Sequence, residues 1–182
     1  MPRKDGRERG ANMARQPQIR RIGVDDLEIV RQLALIIWPK CYRNIIGPDR
    51  VDGLLATLYS IENLEDEMLN HGHAFWIVRW GDLDVGYASA FRDDDRLWLR
   101  KLYVRDDHRG LGLGKALIEA ALGHFHAGDI FSRPPVELAL YVNKDNRPAI
   151  DYYLRSGFRV EAEVPVQMGP YGFTDYVMHK TL

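Results

Sequence analysis

The sequence predicts an α/β (α+β) domain built on a central mixed, mostly antiparallel sheet of about seven strands flanked by helices. Three stretches carry that prediction. Between Ala74 and Val104, alternating apolar segments follow one another across short turns, the pattern of an antiparallel meander. From Leu97 to Phe125, a strand runs into a glycine turn and then an amphipathic helix. After Val136, a further strand, a capped helix and a hairpin complete the set.

Taken in order, Ile19 to Ile22 reads as the first strand. Asp25 followed by Glu28 has the spacing of a capping box. Leu27, Val30, Ala34 and Ile37 then recur at helical spacing until Pro39, which is expected to stop the helix. Pro48 suits the first turn of a second helix with the stripe Val51, Leu54, Leu55 and Leu58. A third runs from about Ile61 to His71, with Gly72 as its stop. Strands follow at Ala74–Trp80, Val85–Phe91 and Leu97–Val104, separated by Gly81-Asp82 and by Asp93-Asp94-Asp95. The next helix carries Leu113, Leu117, Ala121 and Phe125 along one stripe, which packs it on the sheet. Val136 to Val142 is another strand, and Asn146 caps a helix that tolerates Pro148 in its first turn and ends at Gly157. Phe158–Met168 and Tyr171–Lys180 close the chain as a hairpin around Gly169-Pro170.

A chain of 182 residues with 46% hydrophobic composition can bury a substantial core, and no repeat or second domain interrupts it. Its net charge of -1 leaves no broad cationic surface, so nucleic acid is not an expected partner. Cys41 is the only cysteine, which rules out an intrachain disulfide and gives no argument for an oxidising compartment. No apolar run reaches the ~20 residues that cross a bilayer, and the N-terminus lacks the apolar centre of a signal peptide; the expectation is a cytoplasmic protein with no membrane contact. Residues 1–17 differ from the rest. Arg3, Lys4, Arg7, Arg9 and Arg15 stand among Gly, Asn and Gln without apolar periodicity, which predicts a disordered basic arm before a single domain over 18–182. Met13 is an alternative start.

The turn Arg109-Gly110-Leu111-Gly112-Leu113-Gly114-Lys115 places glycines at alternate positions ahead of a helix. Such a backbone curls with its N–H groups unshielded, a cradle for a pyrophosphate at a positive helix end. Two better-known phosphate loops do not fit. A P-loop needs Gly at Arg109 and Ser or Thr at Ala116, and the dinucleotide fingerprint needs two residues where only Leu113 separates Gly112 from Gly114.

The remaining pattern, Arg/Gln-x-x-Gly-x-Gly/Ala after a strand, resembles the coenzyme A loop of the GCN5-related N-acetyltransferases. A second segment, Val142 to Phe158, resembles the other signature of that family, Asn-x-x-Ala-x-x-x-Tyr-x-x-x-Gly-Phe, with Asn146, Ala149, Tyr153, Gly157 and Phe158 filling every position. The resemblance implies a sheet splayed at the strand pair that holds acetyl-CoA, and transfer of acetyl to an amine by direct attack in a ternary complex. It places the cofactor site on Leu102, Tyr103, Val104, Arg109, Gly110, Leu111, Gly112, Leu113, Gly114, Lys115, Asn143, Asn146 and Tyr153. Acetyl and pantetheine contacts fall on the main chain of Leu102 and Val104, where a strand bulge would free an N–H for the developing oxyanion. Tyr153 takes the general-acid position, handing a proton to the departing thiolate. No metal is implied, and homodimers are common in the family.

The acceptor is less legible. An alkylamine with pKa near ~10.4 costs roughly 4.6 kcal/mol to deprotonate at pH 7. The polyamine-acetylating members, which this chain resembles most, including over Gln167-Met168 and Thr174–Met178, often carry a Glu in the strand before the loop; here Arg100 stands at that place. Arginine neither accepts a proton nor attracts a cation, so a more anionic amine such as an amino-acid derivative becomes conceivable if Arg100 faces the pocket, and nothing follows if it faces solvent. A small-molecule primary amine is the expected acceptor. Acetylation of a protein or peptide amine, and a non-catalytic acyl-CoA sensor, are the alternatives. His71-Gly72-His73 and His124-Phe125-His126 lack a third ligand at metal-site spacing. Cys41 has no His-Asp partners for acyl transfer. Trp38, Tyr42, Trp76 and Trp98 are candidates to line an acceptor pocket.

Overall fold

The computed structural model describes residues 16–127 and 134–182. The expected basic arm therefore lies, but for its last two residues, outside the described residues. One sheet organises the rest. Its strands are β1 (Gln18–Ile22), β2 (Ala74–Trp80), β3 (Leu83–Asp93), β4 (Arg96–Val104), β5 (Glu137–Asn143), β6 (Arg159–Met168) and β7 (Tyr171–Thr181), in the order β1-β2-β3-β4-β5-β7-β6. Every neighbouring pair is antiparallel except β4 and β5, which are parallel. A parallel pair needs a crossover, which a helix supplies between β4 and β5, whereas tight turns join β2 to β3, β3 to β4 and β6 to β7.

Among the described residues, five α-helices cover the two faces: α1 (Leu27–Ile46), α2 (Pro48–Leu58), α3 (Ile61–Leu69), α4 (Leu113–Ala127) and α5 (Arg147–Arg155). Inward residues of alternate parity feed two cores. Trp76, Val85, Leu97, Leu117, Leu138 and Met178 pack beneath α4 and α5. Phe75, Ile77 and Tyr87 turn to the opposite face and meet Leu27, Val30, Ile37 and Leu54 of α1 and α2. β2 and β3 are accordingly buried on both sides, and their near-continuous apolar sequence follows from that.

Three local expectations are corrected. Pro39 does not end α1, which continues to Ile46. The missing N–H is outweighed by Trp38, Cys41, Tyr42 and Ile46, which pack the second half of the helix into the core. Asp25 does not head a capping box, because Val24–Asp26 forms a 3-10 turn and Asp26 takes the N-cap of α1 with its carboxylate given to Arg20 at 2.7 and 3.0 Å. Glu28 bonds Gln32 instead of the backbone. Helix α3 stops at Leu69, and Gly72, at φ +67°, turns the chain so that the His73 N–H closes on the Glu67 carbonyl at 3.0 Å.

Candidate active site

The sheet opens between its parallel strands. β4 and β5 pair only over Arg96–Trp98 with Glu137–Ala139; beyond that, β5 stays with β7 through Asn143 while β4 stays with β3 through Val104. The divergence begins at a bulge. Ser89 faces Lys101 and Ala90 faces Leu99, so Arg100 is the extra residue on β4. The bulge was expected in Lys101–Val104 and lies just ahead of it. It reverses the parity of the strand: Leu97 and Leu99 pack under α4, and past the bulge Leu102 and Val104 do so, leaving Lys101 and Tyr103 on the opposite face.

That shift also decides which main-chain groups look into the gap. The Arg105 N–H bonds the Val85 carbonyl at 2.8 Å. Alternation along the antiparallel ladder then gives the polar groups of Tyr103 to β3 and turns those of Leu102 and Val104 toward the gap. Leu102 and Val104 thus present their main chain to the gap, whereas Tyr103 contributes its ring to the far side, against Trp38, Tyr42 and Tyr87.

At the mouth of the gap stands the glycine turn. A 3-10 turn over Asp106–His108 leads into it, Gly110 and Gly112 take φ of +80° and +75°, and α4 begins at Leu113. The first helical hydrogen bond runs from the Ala116 N–H to the Gly112 carbonyl. The amides of Gly110, Leu111, Gly112, Leu113, Gly114 and Lys115 therefore find no acceptor among the described residues. A Cβ at Gly110 or Gly112 would meet no heavy atom within 4 Å, so these glycines are required by backbone conformation and the space over the amides is open. This is what a diphosphate needs: a ring of free donors at the positive end of a helix. The charged flanks of the turn do not converge on it. Arg109 Nη2 bonds Cys41 Sγ at 3.2 Å, and Lys115, 79% exposed, leans toward Glu119. Burial pushes the Cys41 thiol up against the pull of Arg109, the opposite of what a nucleophile requires.

Across the gap, Asn146 caps α5 by accepting from the Ala149 N–H at 3.3 Å, an interaction worth about 1 kcal/mol to the helix. Asn143 ends β5 and borders a cavity on the other face of the sheet. Tyr153 is nearly buried in the core beneath α4 and α5, its ring edge-on to Tyr152 and Phe158. Burial, with the neighbouring phenols of Tyr42 and Tyr152, pushes its hydroxyl well above the usual tyrosine range. It stays protonated at neutral pH.

The cavity, of about 380 Å³, lies between the sheet and α1–α3. Trp38, Tyr42 and Trp98 line it as expected, but Trp76 does not: it faces α4, against His124 and Phe125. Tyr42 bridges the two sides. Its hydroxyl is 3.1 Å from that of Tyr103, its pKa is pushed up to about 12 by burial, and both Asn146 and the Asp175 charge act on it. His73 stacks on Phe91 rather than pairing with His71.

Two polar features of the cavity wall went unread in the sequence. Lys101, 6% exposed, is bonded to Glu67 of α3, with His73 Nδ1 at 3.6 Å from the same oxygen, too long for a hydrogen bond. Burial alone would raise the Glu67 carboxyl, but His73 and the Lys101 ammonium outweigh it and bring it to about 2. Burial pushes Lys101 down against the same partner. Glu67 keeps some solvent contact and accepts directly from the Lys101 ammonium, and the pair is ionised at neutral pH. Asp175 of β7 is 3% exposed, with Oδ1 sealed from solvent and without a hydrogen-bond partner among the described residues. Its signal was present: it occupies the parity of Phe173 and Val177, a charge at an inward-facing strand position.

With this geometry in place, comparison with known proteins gives a consistent result. The family model described as Acetyltransferase (GNAT) family matches residues 38–158. A spermidine N(1)-acetyltransferase of Thermoplasma acidophilum is 24% identical over 157 residues, covering 79% of this chain and 89% of the relative. An uncharacterized N-acetyltransferase of Mycobacterium tuberculosis is 25% identical over 158 residues, covering 86% and 98%. The crystal structure of the PaiA N-acetyltransferase of T. acidophilum in complex with coenzyme A superposes with a TM-score of 0.76 at 22% identity, covering 92% of this chain and 99% of that one. The family model spans well over half of the chain, and the chain belongs to the GNAT acetyltransferase family.

Proposed function

We propose that the protein moves an acetyl group from acetyl-CoA to the primary amine of a small molecule by direct attack in a ternary complex. The observation that carries this reading is the placement of the free amides from Gly110 to Lys115 at one end of the β4–β5 gap, with a cavity open to solvent on the far face. The amides hold the diphosphate, and the main chain of Leu102 and Val104 receives the pantetheine and the thioester carbonyl. Donors already turned into the gap can meet the oxyanion without reorganising. The amine enters from the cavity. Once the amine has given its ammonium proton to solvent, its lone pair forms the new C–N bond, the C–S bond breaks, the thiolate takes the Tyr153 proton, and the proton shed by the acylated nitrogen returns to the phenolate. A phenol kept neutral by burial is suited to that transfer. A cavity of about 380 Å³ is in the range that encloses small molecules, and the Thermoplasma relative is named for acetylating a small amine.

A thiol-release assay across amine classes tests the reading. Release stimulated by at least one small amine, saturable in both substrates, supports it. Saturable acetyl-CoA binding with no amine-stimulated release would instead favour a non-catalytic acyl-CoA sensor.

A further inference from the structure

The cavity wall carries several charged side chains, and most are committed. Lys101 is held by Glu67, and Asp66 is engaged by Asn70 at 2.7 Å and by His71 at 3.0 Å. Two remain. Arg100, exposed, lines the cavity from the bulge of β4 and makes no ion pair within 4.0 Å among the described residues. Asp175 lines it from β7, opposite Asn143 of β5, with Oδ1 buried and unbonded. The two lie close enough for the guanidinium to bear on the carboxylate, yet they form no ion pair within 4.0 Å.

Leaving a carboxylate oxygen buried without a partner is costly unless a ligand supplies the partner. An ammonium answers that need directly. Arg100 sets a second condition. An amine that is only cationic, such as a polyamine, gains from Asp175 but is repelled by Arg100. An acceptor that carries its own carboxylate satisfies both groups at once, and the guanidinium fork is built to receive that carboxylate in a bidentate manner. The bulge is a device that re-aims a side chain, and here the side chain it re-aims is Arg100.

We infer that the acceptor is an aminocarboxylate of amino-acid size, its ammonium held by Asp175 and its carboxylate by Arg100. The inference rests on the acetyl-transfer reading and narrows its substrate. Such a molecule enters as a zwitterion, so neither pole of the cavity is left uncompensated when it is bound. The stem of the acceptor lies against Trp98 and Tyr103, the aromatic side chains that β4 contributes to the cavity wall.

The test is a thiol-release assay on the full chain with matched pairs of acceptors: L-methionine with 3-(methylthio)propylamine, L-phenylalanine with phenethylamine, and L-ornithine with putrescine. The carboxylated member of at least one pair is expected to show a kcat/KM at least tenfold higher. Arg100→Gln should cut that ratio about tenfold through KM of the carboxylated member, Arg100→Lys should restore part of it, and Asp175→Asn should raise KM for both members while leaving the ratio. Acetyl-CoA affinity within twofold of the parent shows that each variant is folded. Equal or better use of the decarboxylated amines, or a ratio indifferent to Arg100→Gln, overturns the inference while acetyl transfer stands. No amine-stimulated release from protein that binds acetyl-CoA overturns both.

Discussion

Lys101→Met isolates the ion pair that fixes β4 beside its bulge. The substitution removes an ammonium that is 6% exposed and leaves Glu67, 14% exposed, without its cationic partner. Breaking a buried pair from one side costs about 3–5 kcal/mol, because the remaining charge is uncompensated. In a chain of this size each kcal/mol is worth roughly 2–4 °C, so thermal unfolding followed by circular dichroism should fall by about 6–20 °C. The double variant Lys101→Met/Glu67→Gln removes both charges and should recover most of that loss, to within about 3 °C of the parent. Since Lys101 directly follows Arg100, the single variant should also weaken acceptor use more than acetyl-CoA binding. A single variant within about 2 °C of the parent would refute the reasoning, for it would mean that the pair is hydrated and its rupture leaves nothing stranded.

Tyr153→Phe should lower kcat by about a hundredfold with little change in the KM for acetyl-CoA, measured by steady-state thiol release; an unchanged kcat removes Tyr153 as the acid. The protonated phenol is the active form and its pKa is raised, so loss of its proton should limit the rate only above the ordinary tyrosine value near ~10. Gly112→Ala places a Cβ on a residue at φ +75° where no clash opposes it, so the effect is conformational strain of about 1–2 kcal/mol; calorimetric titration should show acetyl-CoA binding weakened about 5–30-fold. Glu67 sits below its unfolded value, so its contribution is fully present above pH ~4.5 and is lost as pH falls toward about 2. Glu67→Gln should accordingly flatten the acid limb of the stability profile, read by urea unfolding across that window.

Much of the architecture was legible because it is local. Alternation in β2, β3 and β4, the N-cap at Asn146 and the glycine turn before Leu113 each write their conformation into a few adjacent residues. The errors came where distant packing decided the outcome. Pro39 is a breaker by local rules, yet the aromatic cluster of Trp38, Tyr42, Tyr59 and Tyr103 holds the helix through it. Asp25 had the right spacing for a cap, but Arg20 across the turn took the next carboxylate, Asp26. The binding half of the site follows the same division. The glycine turn was readable as a motif, whereas the cavity is assembled from α1, α2, α3 and strands β3 to β7, and Glu67 with Lys101, or Arg100 with Asp175, are neighbours only in space. The bulge had a trace in the apolar phase, which steps from Leu97 and Leu99 to Leu102 and Val104. The parity of Asp175 was a similar trace.

The claim on which the rest depends is that the unbonded amides from Gly110 to Lys115 grip the diphosphate of acetyl-CoA. Amide-resolved NMR during an acetyl-CoA titration addresses it directly. The account predicts that those six N–H resonances move together and saturate with the binding isotherm, as donors entering charge-assisted hydrogen bonds do. Saturable binding that leaves them in place, while amides elsewhere respond, would contradict it.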